Sequence, residues 1–408
     1  MTIDSSSPPA PAHRRSLFAS YAAGLFSMGQ AELLTIVIPL WAILQGAEPA
    51  EIGILIGARS VLTFFLAIHG GALMDRLGTR RVMLFFAVVT GLLAAVYPLL
   101  PWIAAMTALQ ILIGFAGNMG WMGAQTLVAQ VSGGDPGQIG VFSFYSRIGN
   151  VIAPVVMGLL WDHTGPQIAF LGVTVWSVFL YLAVSQVEDL RRATPTPETF
   201  SWRDLLPKLS DYTGSIGLLA IPAVALTLGV SFMRHATNGV EQSFFIVYLQ
   251  GVGYAGTKIG LLFSIAEIVN GIASLYSGRL AKVLPITWSM VGLTAVGISL
   301  LAITPLLGGS FALLALAHSA RRITEGLVQP LMFSIQGRAV APALQGSIVG
   351  LRVTNNRLAS IVTPVIMGFI VQHFGVADGF VVMGGLLLTG CAALAITIAR
   401  VPALRRQQ

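Results

Sequence analysis

Charge is scarce in this chain: 23 Lys and Arg and 16 Asp and Glu are spread over 408 residues. A soluble domain carries roughly a quarter charged residues. At 10% charged and 55% hydrophobic, this composition excludes a water-soluble enzyme. Cysteine is scarcer still. Cys391 stands alone in an apolar run, which excludes a disulfide framework and a cysteine metal centre. His69, His163, His235, His318 and His373 show no metal-ligand spacing, so no metal site and no cofactor is expected. No Gly-x-x-x-x-Gly-Lys-[Ser/Thr] loop is present, so the chain is not itself an ATP-driven pump. No nucleophile–base set lies within the apolar runs, which sets a membrane enzyme aside. The polar residues 1–16 are not followed by a short apolar core with a small-residue cleavage site, so no removable signal peptide is expected.

What abounds is long apolar sequence. A helix needs about 20 such residues to cross the hydrocarbon of a bilayer. Twelve segments qualify, roughly 17–44, 51–74, 82–100, 102–130, 138–161, 166–187, 214–250, 256–281, 286–307, 311–336, 343–372 and 377–400. The expected fold is an all-α membrane protein of twelve spans in two pseudo-symmetric six-helix bundles. Its parts are a cytoplasmic tail (1–16), an N-terminal bundle (17–187), a cytoplasmic linker (188–213), a C-terminal bundle (214–400) and a C-terminal tail (401–408). The linker is the one long polar connection, with room for a surface helix near 201–210.

Charge placement orients this layout. The loop cations Arg76, Arg80, Arg81, Arg191, Arg192, Arg203, Lys208, Arg279, Lys282 and Arg338, with those of both tails, fall on one side; Lys258 alone falls on the other. Basic loops stay cytoplasmic, which puts both termini inside a cytoplasmic (inner) membrane. The same placement accounts for the net charge of +7 without a nucleic-acid partner.

The halves repeat. SRIGNVIAPVVMGLLWDHTG at 146–165 aligns without gaps with NRLASIVTPVIMGFIVQHFG at 356–375, pairing Arg147 with Arg357, Pro154 with Pro364 and Gly158 with Gly368. Nearly the same offset pairs Glu32 with Glu241, Gly53 with Gly260 and Gly71 with Gly278. Two parallel copies of one six-helix unit give this pattern.

At Gly71, Asp75, Arg76, Gly78, Arg80 and Arg81 the chain matches a loop signature, G-x-x-x-D-[RK]-x-G-[RK]-[RK]. On this loop and on the repeat, the chain resembles the major facilitator superfamily over essentially its whole length. The resemblance implies that this loop gates the conformation, with Asp75 facing a neighbouring helix N-terminus, where a carboxylate is favoured. Gly149, Pro154 and Gly158, with Ala153 and Met157 between them, resemble the helix-five pattern of drug/proton antiporters and imply a gating role and export. The helix-four arginine of many drug exporters has no counterpart around Gln110–Gly114.

Ionisable residues inside spans cost about 2.5–3.5 kcal/mol each on insertion scales, so they mark pairs, cavities or proton paths. Glu32 and Glu241 are equivalent in the two halves and are the candidate proton carriers; pairing with a nearby Arg is the competing reading. Arg59, Asn118, Gln125, Arg147, Asn238, Glu267, Arg322, Glu325, Arg352, Asn356 and Arg357 are candidate substrate contacts, against a packing or ion-pair role for each. On segment 311–336 the spacing of Arg321, Arg322 and Glu325 also allows a salt bridge within the helix. The embedded arginines outnumber the glutamates, which points to an anionic or zwitterionic, amphiphilic solute, since guanidinium grips carboxylate or phosphate bidentately. The expected function is proton-coupled efflux of such a small molecule by alternating access. Proton-coupled uptake of an organic anion is the alternative, and a non-transporting membrane sensor is the alternative of another class. The chain is expected to work as a monomer whose partners are protons, the small-molecule substrate and the lipid bilayer.

Overall fold

The structure is a computed structural model that describes residues 11–133, 135–188, 217–339 and 345–405. The expected linker, with its surface helix, and the outer parts of both tails lie outside the described residues. So do the side chains of Gly71, Asp75 and Arg76.

All regular structure among the described residues is helical. The first half holds α1 (Pro11–Leu44), α2 (Pro49–Leu77), α3 (Thr79–Val96), α4 (Ile103–Val131), α5 (Pro136–Thr164) and α6 (Pro166–Ser185). The second half opens with α7 (Pro222–Val240), which runs through a π-helical turn at Glu241–Phe245 into a last piece, Ile246–Gly251. Then come α8 (Gly256–Ser274), α9 (Ile286–Ala302) and α10 (Phe311–Ala339). The final stretch, Gln345–Arg400, is broken at Gly375 (φ 81°) into α11 (345–374) and α12 (376–400).

Eight of these helical stretches are long and apolar enough to cross a bilayer; the last of them, Leu351–Arg400, takes in both α11 and α12. The polar residues of α7 and α10 dilute the apolar signal there, and α9 is apolar but has 17 residues. Helix α1 begins at Pro11, earlier than the expected start at 17. Proline fits a first helical turn, so the helix reaches past the apolar segment and carries His13, Arg14 and Arg15.

The repeat seen in the sequence is a repeat in space. Gly165 and Gly375 are equivalent and both sit in the left-handed region, at φ 83° and 81°. Gly46 and Gly253 repeat in the same way, at 75° and 87°. The contacts between halves are copied too. A side chain at Gly53 of α2 would strike the Pro364 carbonyl of α11, and one at Gly260 of α8 would strike the Pro154 carbonyl of α5. Small residues let helix backbones approach this closely. Gly158 and Gly368 face the starts of α8 and α2 in the same manner.

The core shows how the halves meet. One cluster joins both halves at the end carrying the α1–α2 and α7–α8 connections, with Leu33 to Ala42, Ile52, Phe244, Phe245, Leu249 and Met367. At the opposite end, where both termini lie, Leu17, Tyr21, Met83, Leu127, Phe142 and Leu180 form a core of first-half residues alone. Leu218, Val224, Leu228 and Ile348 form a separate one in the second half. Buried apolar residues thus bridge the halves at the connection end, whereas at the terminus end the first half keeps a core of its own.

Candidate functional site

The embedded charges fall into one connected network and a set of arginines outside it. Inside the second half, α7 presents Arg234, Asn238 and Glu241 at four- and three-residue spacing, hence on one face. Glu241 is the first residue of the π-helical turn, a rare distortion that often marks functional positions. α8 adds Glu267 and Asn270, and α10 adds His318, Arg321, Arg322 and Glu325.

These side chains form one connected network. The Arg321 guanidinium donates to Glu241 Oε2, and its Nη1 lies 3.3 Å from Asn238 Oδ1. His318 Nε2 lies 3.2 Å from the other Glu241 oxygen, Oε1. Arg322 pairs with Glu267, donates at 2.6 Å to Glu325 Oε2 and lies 3.9 Å from Glu241. Glu325 Oε1 accepts from Asn238 Nδ2 at 2.6 Å and from Arg234 at 3.3 Å. Asn270 donates to Glu267 at 3.3 Å. Three arginines thus neutralise three glutamates away from solvent, with Glu241 1% and Arg321 3% exposed. A buried pair of this kind is weak evidence for stability, but removing one partner strands the other charge. A cavity of about 20 Å³ lies against Arg234, Asn238, Arg321 and Glu325, with room for about one water.

The second group is left unneutralised. Arg59 donates to Thr35 Oγ1 at 3.0 Å and to the Ala31 carbonyl at 3.4 Å. Arg357 of α11 donates to Asn118 of α4, across the two halves. Arg352 donates to Gln336 at 3.2 Å and covers the Phe333 ring at 4.2 Å. Arg147 is exposed beside Gly271 of α8, one turn from Glu267. Among the described residues none of these four is within ion-pair distance of a carboxylate. Glu32, half-buried, feels the charges of Arg322, Arg59 and Glu241. Four guanidiniums are therefore without an ion pair among the described residues, and one of them, Arg59, is close enough for its charge to act on Glu32.

Other expected positions are placed as follows. Asn356 accepts from Ser231 at 2.6 Å, a bond between α11 and α7. Gln125 is exposed on α4 and joins neither group. Gly78, at φ 88°, makes the α2–α3 turn, and Arg80 ties α3 to the Ser185 carbonyl at the end of α6 at 2.9 Å; Arg81 follows on α3. Gly149 sits against the Leu25 carbonyl of α1, so close packing accounts for it as it does for Pro154 and Gly158.

Two groups take places in the structure that the sequence analysis does not assign to them. His318 precedes Arg321 by three residues and Glu325 by seven, a one-face spacing that was there to be read. Asp162 of α5 accepts from Gly256 N at 2.8 Å, Thr257 N at 2.7 Å and Thr257 Oγ1 at 2.6 Å, capping α8 of the other half. Its repeat mate Gln372 of α11 donates at 2.9 Å to Glu48, the cap of α2. Both links lie at the joined end.

With this geometry in hand, comparison with known proteins is direct. The sequence matches the family model described as Major Facilitator Superfamily over residues 20–351 and 227–408. The fold is similar to a point-mutant form of a nucleoside transporter, NupG, at TM-score 0.76 and 14% identity, covering 93% of this chain and 99% of that one. It is also similar to a bacterial homolog of the human lysosomal transporter Spinster, in an inward-facing and occupied conformation. There the TM-score is 0.74 at 13% identity, covering 97% of this chain and 99% of that one. A POT family transporter in complex with a thioalcohol-conjugated peptide matches at TM-score 0.72 and 13% identity, covering 96% of each.

Proposed function

The chain belongs to the major facilitator superfamily, a family of multi-pass membrane transport proteins and not of enzymes, and from that premise we propose that it carries a small organic anion together with protons. One observation carries this reading. The network on α7, α8 and α10 is self-neutralised, whereas Arg59, Arg147, Arg352 and Arg357 have no carboxylate partner among the described residues. Guanidinium is matched in shape and charge to carboxylate and phosphate. Arg357, bound to Asn118 across the halves, is well set to sense an anion between them.

Glu241 and Glu32 supply the coupling. Arg321 and Arg322 are engaged by Glu241, Glu267 and Glu325. Protonating Glu241 releases guanidinium charge, and an anion can then take the place of the carboxylate. Proton and anion are thereby bound together and travel in one direction. This competition favours cotransport, and with an inward proton gradient it favours uptake. Export is the second reading, supported by the Gly149–Pro154–Gly158 pattern that resembles drug/proton antiporters. Packing against α1 and α8 accounts for those three residues, so we rank export second. The basic loops support cytoplasmic termini in an inner membrane.

The test is flux. The protein is reconstituted in liposomes under an imposed pH gradient and offered labelled monocarboxylates, dicarboxylates, organic phosphates and a cationic dye. Gradient-driven anion accumulation, lost in Glu32→Gln/Glu241→Gln, is expected. Dye movement without anion movement overturns the substrate class, and undiminished coupled flux in the double variant overturns the coupling residues.

A further inference from the structure

We propose that His318 hands protons to and from Glu241 along a route inside the second half, between α9 and α10, rather than between the halves. This rests on the proton-coupled reading above, and it assigns the proton its own door.

The geometry is specific. One Glu241 oxygen is taken by Arg321, and the other, Oε1, lies 3.2 Å from His318 Nε2. Neither Oε1 nor Nε2 has another hydrogen-bond partner, although both are buried. Buried polar atoms are nearly always satisfied, so two that face each other without a bond call for an explanation. A shared, exchangeable proton is one. The imidazole is held in place by rings: Phe245 stacks on it at 4.9 Å, and Phe263 lies at 5.3 Å. Phe245 closes the π-helical turn that Glu241 opens, so one backbone distortion positions both the acid and the wall of its partner.

A second small cavity begins at this imidazole. It holds about 10 Å³, enough for about one water, and is lined by His318, Arg321, Phe245, Leu314, Leu301 and Thr304 among others. Thr304 follows α9 at the α9–α10 connection, on the joined end of the molecule. The cavity therefore leads from Glu241 toward the end where the buried core bridges the halves.

The charged groups around His318 are few. Glu241 faces it from the π turn, Arg321 and Glu325 from its own helix, and α8 turns Phe263 toward it. The α9 residues lining the cavity, Leu300 and Leu301, are apolar. The step is a proton transfer. Imidazolium Nε2–H gives its proton to Glu241 Oε1, leaving neutral imidazole and a carboxylic acid, which loosens Arg321. A proton arriving from solvent, relayed through a water in the cavity that passes one proton on and takes up another, then restores the imidazolium. Imidazole is the side chain suited to such a shuttle near neutral pH.

The experiment is an acid jump on the purified full-length protein, followed by time-resolved infrared absorption of the protonated carboxyl band, with Glu241→Gln assigning it. His318→Phe, which suits an aromatic surround, should slow protonation by on the order of 100-fold, the scale of a positioned acid–base group, while leaving its final amplitude intact. Ala317→Leu fills the cavity while leaving both His318 and Glu241 unsubstituted and should slow it as well. An unchanged rate in either variant overturns the route and leaves proton coupling standing. If Glu241 in the unaltered protein takes up no proton at all, the coupling reading falls, and this proposal with it.

Discussion

Asp162 sets how firmly the joined end is closed. It is an exposed carboxylate of α5 that accepts three hydrogen bonds from the first residues of α8, in the other half, at 2.6–2.8 Å. Buried hydrogen bonds to a charge are worth about 1.5–3 kcal/mol each. At an exposed rim the measured range for charged pairs falls to about 0.2–1 kcal/mol. Three bonds near the middle of that range, with a few tenths for a negative charge at a helix N-terminus, give about 2 kcal/mol. All of it is lost when the halves part here, since the donors and the acceptor sit on different halves. Asp162→Ala should therefore shift the equilibrium by about 30-fold toward opening at this end, at 1.4 kcal/mol per factor of ten. Gln372→Ala removes one exposed bond, to Glu48, and should shift it only about twofold at roughly 0.5 kcal/mol. The assay is the distance distribution between spin labels on Thr164→Cys and Leu306→Cys, one from each half at the joined end, with Cys391→Ala to remove the native thiol. A long-distance population that grows in Asp162→Ala and barely changes in Gln372→Ala is expected. The same distribution in Asp162→Ala and the unaltered protein would refute the reasoning.

Two further outcomes follow from the packing. Glu241→Gln leaves Arg321, 3% exposed, without its main counter-charge. Breaking a buried pair costs about 3–5 kcal/mol, seen as a lower Tm of the solubilised protein, and adding Arg321→Gln should recover part of it; a double variant no more stable than the single one would show that the two are not paired. Gly53→Val and Gly260→Val each place a side chain against a carbonyl of the opposite half, Pro364 and Pro154 respectively. Both should separate the same spin labels while the helical content holds, and labels that stay close would show that these contacts are not what joins the halves.

Much of this molecule could be read directly from its residues, and the reason is physical. Lipid forces the spans to be long and apolar, so their number and order are written as runs broken by Gly, Pro and charge. Duplication left matched offsets, and the equivalent turns at Gly165 and Gly375 adopt the same backbone conformation. Burial also hid the charges well enough that composition marked each as a candidate. What it did not mark is which candidates cancel, because that depends on the neighbours each helix meets. Glu32 and Glu241 align, yet they differ in kind. α10 brings Arg321 and Arg322 to Glu241, whereas α4, of the same 29-residue length, brings Asn118 and no arginine. Glu241 is thereby locked into a neutral network, and Glu32 is left with only distant cations. The missing basic residue on α4, which in the sequence looked like a departure from drug exporters, is thus what makes the two halves unequal. One half stores balanced charge that a proton can unbalance. The other keeps a carboxylate, Glu32, without an ion-pair partner among the described residues, and a cation, Arg59, whose charge acts on it. A duplicated bundle needs that inequality if proton and anion are to be bound at separate groups and still answer to each other.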